Sequence, residues 1–287
     1  MSTTPVFAHV IRYAAFTDDP GGGNPACIVL DASSFDEERM LRVAREVGYS
    51  ETAFLRPHLD AAREYDVRYF SPEAEVPFCG HATIAAGVAL TERDGPGEFV
   101  FHVSAGPVPV STRRDAWGVA TASLTSVQPY AEKAEDDAVD EAVRALRWRR
   151  DELDPELPPR IAFAGARHLI LAAATRHRLA GLDYEFERLK ALMLELELTT
   201  VDLVWRDRDD LYHVRNPFPV GGVYEDPATG AAAAAFGGYL RALGLVATPA
   251  RVSVLQGQDM GRPSVIVVDI GPGGGGITVT GGAVPIA

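Results

Sequence analysis

The chain has 287 residues, a mass of 30.8 kDa and a formal net charge of −13, from 27 Lys and Arg against 40 Asp and Glu. With 47% hydrophobic and 23% charged residues it has the profile of a folded globular protein rather than a disordered one. Two cysteines, Cys27 and Cys79, are too few for a disulfide scaffold, a four-thiolate zinc site or an iron–sulfur cluster, and an acidic chain with no basic stripe is unsuited to nucleic acid.

Residues 6–16 read as a strand, 18–25 (DDPGGGNP) as a loop and 26–30 as a second strand. A one-sided helix follows, with Met40, Leu41, Val43, Ala44 and Val47 apolar, Ser33 or Ser34 as its N-cap, acidic residues at 36–38 in its first turn, and Gly48 as its stop. Residues 51–55 and 65–70 are short strands, and 97–122 is a meander with turns at 105–107 and 113–115. The highly charged stretch 131–157 contains a helix over 138–148 and reads as a linker. Strands at 160–163 and 169–172, a helix at 184–196, and strands at 201–205, 212–215, 251–255, 264–270 and 276–280 complete the chain. Strands outnumber helices and connections are short, which predicts an α+β fold with antiparallel or mixed sheets. No apolar run reaches the roughly 18 residues needed to cross a bilayer, and the first 16 residues lack a secretory pattern. The expectation is therefore a cytoplasmic protein with no membrane partner.

An internal repeat stands out. Residues 66–72 (DVRYFSP), followed by 75–90 (EVPFCGHATIAAGVAL), match 213–219 (HVRNPFP), followed by 225–240 (EDPATGAAAAAFGGYL). Each copy runs strand, Pro-rich turn, acidic residue, Gly, then a helix of small residues. Such a repeat predicts two similar lobes, 1–128 and 129–287, with the final strand a candidate to pack back on the first. Residues 82–90 and 231–240 have almost no polar face, so each helix is expected to be central, with a curved sheet wrapped round it. Their N-termini would supply backbone N–H groups for a substrate carboxylate, around Gly80-His81 and Thr229-Gly230.

Several residues are candidates for chemistry, each with a plainer reading beside it. Glu51 is either an exposed strand residue or a carboxyl held in an apolar cleft as an acid and base. His81 either bonds to nearby backbone or acts as a substrate contact or proton carrier, and Asp226 either satisfies helix N–H groups or orients a substrate amine or His81. Cys79 sits at a helix start, where a thiolate is stabilised, but its repeat partner Thr229 cannot complete a two-thiol racemase pair. Cys79 is therefore read as a small buried residue, and Cys27 as core. Gly21-Gly22-Gly23-Asn24 lacks the Lys-Ser/Thr ending of a phosphate loop, and no His-x-x-x-His or Cys-x-x-Cys spacing marks a metal site.

Taken together, residues 18–30 (DDPGGGNPACIVL), 50–55 (SETAFL), 76–83 (VPFCGHAT), 225–233 (EDPATGAAA) and 256–264 (QGQDMGRPS) resemble the PhzF-like family of phenazine-biosynthesis isomerases. The wider superfamily is similar to diaminopimelate epimerase and proline racemase. The resemblance implies two lobes with the active site in the cleft between them. It also implies a cofactor-independent, metal-free isomerase in which a Glu matching Glu51 moves a proton between carbons of a dihydro-3-hydroxyanthranilate. Residues matching His81 and Asp226 bind substrate, with Gly80, Thr229, Gly230 and Asn24 as further binding candidates. The family usually carries Ser where Ala231 stands, so one hydrogen bond to that substrate is absent here. The expected partners are a small carboxylate substrate and a second copy of the chain in a homodimer. Two alternatives stay open: an amino-acid epimerase or racemase using Cys79 with Glu51, and a non-catalytic metabolite-binding protein.

Overall fold

The computed structural model describes residues 10–58, 61–104 and 106–287. Residues 6–9 of the first expected strand and Ala105 of the first expected hairpin turn lie outside the described residues. In chain order the elements are β1 (Val10–Ala15), β2 (Asn24–Val29), α1 (Glu37–Val47), β3 (Thr52–Pro57), β4 (Glu64–Phe70), β5 (Glu75–Val76), α2 (Gly80–Asp94), β6 (Gly97–Val103), β7 (Gly106–Arg114) and β8 (Ala120–Thr125). They continue with β9 (Tyr130–Lys133), α3 (Asp136–Ala145), β10 (Arg160–Phe163), β11 (Arg167–Ala172), α4 (Arg176–Ala180), α5 (Phe186–Glu195), β12 (Thr200–Arg208) and β13 (Leu211–Arg215). The last are α6 (Gly230–Ala242), β14 (Ala250–Gln256), β15 (Ser264–Ile270) and β16 (Thr278–Pro285). Among the described residues strands dominate and their pairing is mixed. The chain divides into two compact units: the described residues up to Thr125 with Thr280–Ala287, and Ser126–Val279.

In the first unit the strands run β1-β2-β3-β4-β6-β7-β8-β16, and β16 pairs back onto β1, with Tyr13 opposite Pro285 and Ala15 opposite Ala283. The sheet thus closes on itself and leaves no edge along that path. Helix α2 packs against β1, β2, β3, β7 and β8. Every residue from His81 to Thr91 is buried, which is why this stretch has no polar face. Its hydroxyls bond inside the helix: Thr83 Oγ1 donates to the Cys79 carbonyl at 2.7 Å and Thr91 Oγ1 to the Gly87 carbonyl at 2.9 Å. Helix α1 ends at Gly48, whose φ of 71° suits glycine. Its N-cap corrects the sequence reading. Asp36, not Ser33 or Ser34, accepts from the Arg39 N–H at 2.8 Å. Phe35 decides this. It turns into the core against Phe54, and the helix begins only after it.

In the second unit the order is β15-β14-β13-β12-β11-β10-β9, with α6 packed against β9, β10, β11 and β15. The pairings β11–β12 parallel, β12–β13 antiparallel, β13–β14 parallel and β14–β15 antiparallel follow the same sequence as β2–β3, β3–β4, β4–β6 and β6–β7 of the first. The charged stretch 131–157 is not a linker but part of this unit. Val139, Ala142, Val143, Leu146 and Trp148 share a core with Leu189, Leu192 and Met193 of α5. The charges that suggested a linker are the outer face of an amphipathic helix, where Glu141 pairs with Arg144 and Arg188.

One glycine in each buried helix sets how closely sheet and helix approach. A Cβ on Gly87 would lie 2.9 Å from Ala122 Cβ and 3.0 Å from Val110 Cγ1; on Gly237, 2.8 Å from both Ile277 Cγ2 and Val268 Cγ1. These glycines are 150 residues apart, the same offset as Gly80 and Gly230. Alanine gains up to about 1 kcal/mol of helix propensity, but overpacking costs about 1–3 kcal/mol. Gly87→Ala and Gly237→Ala are each expected to lose about 1–2 kcal/mol of stability. Urea titration of both variants checks this, and a raised midpoint would contradict the close-approach account.

Asp202 on β12 is fully enclosed and accepts one hydrogen bond from Asn216 Nδ2 at 2.8 Å. Its second oxygen and Asn216 Oδ1 have no hydrogen-bond partner among the described residues. Burial pushes its carboxyl up to about 7. Because the folded value is the raised one, its stabilising contribution is complete below the ordinary value near 3.8 and is lost as pH rises toward 7. Asp202→Asn keeps the shape and removes the titration. Its stability relative to the native chain should improve by about 2–3 kcal/mol between pH 5 and pH 8. Denaturant midpoints at the two pH values measure the change, and a constant difference would show an ordinary carboxyl.

Candidate active site

Polar side chains gather at the N-terminus of each buried helix. In the first unit the parallel pairing of β2 and β3 starts at Cys27 and Thr52, and the Cys27 N–H donates to the Glu51 carbonyl at 3.4 Å. This carries Glu51, one residue before β3, to the same sheet end as Asn24, the first residue of β2. Helix α2 enters there. Its N-cap is Cys79, whose side chain makes no capping bond, and its first two residues are Gly80 and His81. A capping hydroxyl or carboxylate is missing, so the first-turn N–H groups keep the partial positive charge of a helix start.

His81 is the hub. Its side chain is 8% exposed, with Nε2 3.4 Å from Glu51 Oε2 and 3.4 Å from Ser50 Oγ. On the other side Asn24 Nδ2 lies 3.3 Å from Nδ1. An amide NH₂ can only donate, so Nδ1 accepts, and the proton of a neutral His81 sits on Nε2, facing Glu51. Cys79 Sγ is 3.4 Å from Nδ1 and 3.8 Å from Nε2. Cys79 is therefore a buried residue in the polar cluster, not one among apolar neighbours. Cys27 lies in the core, and burial pushes its thiol up to about 12. Glu51 keeps a side-chain exposure of 18%, enough to meet a small molecule. Asn24, read as a substrate contact, holds a ring nitrogen of His81. Donor atoms of Glu51, Cys79 and His81 lie within 4.8 Å of one another, a grouping with metal-ligand chemistry that no sequence spacing announced.

In the second unit Asp226, 9% exposed, accepts from Thr229 Oγ1 at 2.5 Å. Gln256, at the end of β14, binds the same turn. Its Nε2 donates to the Asp226 carbonyl at 2.8 Å and to Thr229 Oγ1 at 3.0 Å, and its Oε1 accepts the Thr229 N–H at 3.0 Å. The Thr229 N–H and hydroxyl are thus engaged by Gln256 and Asp226. Gly230 then opens α6, which has no side-chain cap. Gly257 lets β14 approach this turn. Its φ is 75°, and a Cβ there would meet the carbonyl oxygens of Arg262 and Pro227 at 2.2 and 2.7 Å.

The acidic residue of each repeat has a structural task. Arg215 grips Glu225 with Nε–Oε1 2.9 Å and Nη2–Oε2 2.5 Å, and Arg68 grips Glu75 at 2.7 and 2.5 Å. Each fork ties a strand to the loop before the buried helix. Sequence reading missed these pairs, and also missed Ser50 and Gln256, although all lie in motifs it had singled out.

Comparison with known proteins adds a family. The model of the phenazine biosynthesis-like protein family (PhzC-PhzF) matches residues 13–287. An uncharacterized isomerase of Mesorhizobium japonicum is 33% identical, with 96% of each chain covered. The trans-2,3-dihydro-3-hydroxyanthranilate isomerase of Pseudomonas chlororaphis is 28% identical, covering 90% of this chain and 88% of that protein. The crystal structure of a PhzF-family phenazine biosynthesis protein from Bacillus anthracis superposes with a TM-score of 0.87 at 25% identity, over 97% of this chain and 96% of that one.

The Asn24 contact has a direct readout. In the native protein at a pH where the ring is neutral, long-range ¹H–¹⁵N spectra of His81 should show the Nε2–H form. Asn24→Ala should shift the ring toward a mixture of both tautomers. An unchanged pattern would mean that Asn24 does not set the ring.

Proposed function

The chain belongs to the phenazine biosynthesis-like protein family, and from that membership we propose that it is an isomerase shifting a proton within a small carboxylate-bearing metabolite, with no cofactor or metal in the reaction. We read its two units as copies of one design, each a sheet wrapped round a central small-residue helix. The observation that carries the catalytic reading is the Glu51–His81 contact: a mostly buried carboxylate 3.4 Å from a histidine nitrogen whose tautomer a third residue holds.

In this reading Glu51 takes a proton from a carbon next to a double bond. The electron pair moves along the conjugated system, and Glu51 returns the same proton at its far end. His81 Nε2–H hydrogen-bonds the Glu51 carboxylate before the first transfer and after the second, and steadies a substrate oxygen as charge develops there. The first-turn N–H groups of Gly80 and His81 serve the substrate carboxylate, where preorganised donors contribute a few kcal/mol. Asp226 is assigned to a polar substituent of the substrate by its match to the family motif. Ala231 removes a hydroxyl from this set, which favours a substrate differing from that of the Pseudomonas chlororaphis relative.

A second reading, epimerisation with Cys79 as one base, draws on the thiol's contact with the His81 ring. Its repeat counterpart Thr229 donates to Asp226 and cannot serve as the opposing thiol. One experiment separates these readings from mere binding. Deuterium incorporation from solvent is followed in trans-2,3-dihydro-3-hydroxyanthranilate, and in any metabolite that Glu51→Gln protein retains from cell extract. Glu51→Gln is expected to bind ligand and lose about three orders of magnitude in turnover, about 4 kcal/mol of barrier. Cys79→Ala is expected to stay within about tenfold of native. Retention of activity by Glu51→Gln would refute the assignment; inversion of configuration together with collapse in Cys79→Ala would establish the epimerase.

A further inference from the structure

We propose that Glu51, Cys79 and His81 form a binding site for a thiophilic divalent cation of the zinc class, and that occupation of this site silences the proton shuttle. The three side chains supply one carboxylate oxygen, one thiolate sulfur and one imidazole nitrogen, a donor set typical of zinc and poor for magnesium or calcium. They converge from two segments, with Cys79 and His81 each 7% exposed and the Glu51 side chain 18% exposed.

Zinc bonds of about 2.0–2.3 Å place neighbouring ligand atoms about 3.3–3.7 Å apart. Glu51 Oε2 and His81 Nε2 already meet this at 3.4 Å, whereas Cys79 Sγ lies 3.4 Å from Nδ1 and 3.8 Å from Nε2 and has to turn toward Nε2 to complete the set. The remaining edge closes within the 4.8 Å that contains all three donors. Three protein ligands leave a fourth position for water, as in open zinc sites.

Binding has two chemical consequences. The Cys79 thiol gives its proton to solvent, since the thiolate is the ligand. His81 must bind through Nε2, so its ring proton moves to Nδ1 and the Asn24 side chain turns its carbonyl oxygen toward that N–H in place of its NH₂. The lone pair that Glu51 would use as a base is then engaged by the cation. Cation binding itself does not depend on the catalytic reading above; only the silencing does.

Cobalt(II) provides a spectroscopic probe independent of activity. Titration of chelator-treated native protein is expected to give one equivalent of bound cobalt with a thiolate-to-cobalt charge-transfer band and intense tetrahedral d–d bands. Zinc should displace it. Cys79→Ala should abolish the charge-transfer band, Cys27→Ala should leave it intact, and His81→Ala should weaken binding by about tenfold or more. Circular dichroism establishes that each variant is folded; if Cys79→Ala is not, Cys79→Ser gives the same test. Absence of the band at millimolar cobalt, or a band that survives loss of Cys79, would overturn the site. Zinc should also halt deuterium exchange in native protein, with EDTA restoring it. Exchange that continues on the zinc-saturated enzyme would overturn the silencing while leaving the site standing.

Discussion

A helix with sheet on most of its sides has no water-facing stripe, and that single constraint shapes the rest of this molecule. Any polar group on α2 must find its partner inside, as Thr83 and Thr91 do on the carbonyls of their own helix. Any side chain larger than the gap must be absent, which leaves glycine at 87 and 237. The uninterrupted small-residue character is thus a packing requirement and not a low-complexity accident. It also forces the chemistry outward. The middle of α2 can carry nothing reactive, so the functional groups collect at its first turn, where backbone N–H groups and a sheet end meet.

The two helix starts solve the same local problem with different chemistry. At α2 the cap position holds a thiol that leans on His81; at α6 it holds a hydroxyl locked between Asp226 and Gln256. The first arrangement leaves a carboxylate, an imidazole and a sulfur within reach of one another. The second is stitched shut by four hydrogen bonds around Thr229. The difference between Cys79 and Thr229 gives the first end a thiol beside an imidazole and the second a hydroxyl committed to its own turn.

Much of the fold was legible because its signals are local. Gly48 stops α1 as glycine does, and short apolar runs between turn residues located most strands. The repeat was visible because Arg, Glu and Gly recur at matching offsets, although the forked Arg–Glu bonds behind that recurrence were not. Two readings failed for the same reason, namely that tertiary burial outweighs local composition. Phe35 is drawn into the core and moves the cap of α1 to Asp36. Trp148 and Leu146 do the same to the supposed linker. The candidate site was legible residue by residue, but its grouping was not. Asn24, Ser50, Glu51, Cys79 and His81 are far apart in the chain, and only the parallel β2–β3 register and the entry of α2 bring them together. The proton position on His81 depends on Asn24, which no spacing rule would connect to it.

The closing strand of the first unit has a consequence for how the molecule is made. Residues Thr280–Ala287 belong to the unit that starts the chain, yet they emerge from the ribosome after all of Ser126–Val279. Until they arrive, β1 lacks its partner at Tyr13, Ala14 and Ala15, and the ring of strands stands open with an unpaired edge. The second unit, being continuous, has all its residues first. Synthesis therefore runs against the usual order in which N-terminal parts finish before C-terminal ones. A nascent chain would carry an exposed, unfinished sheet until Thr280–Ala287 are made, with Glu51 on a half-built frame.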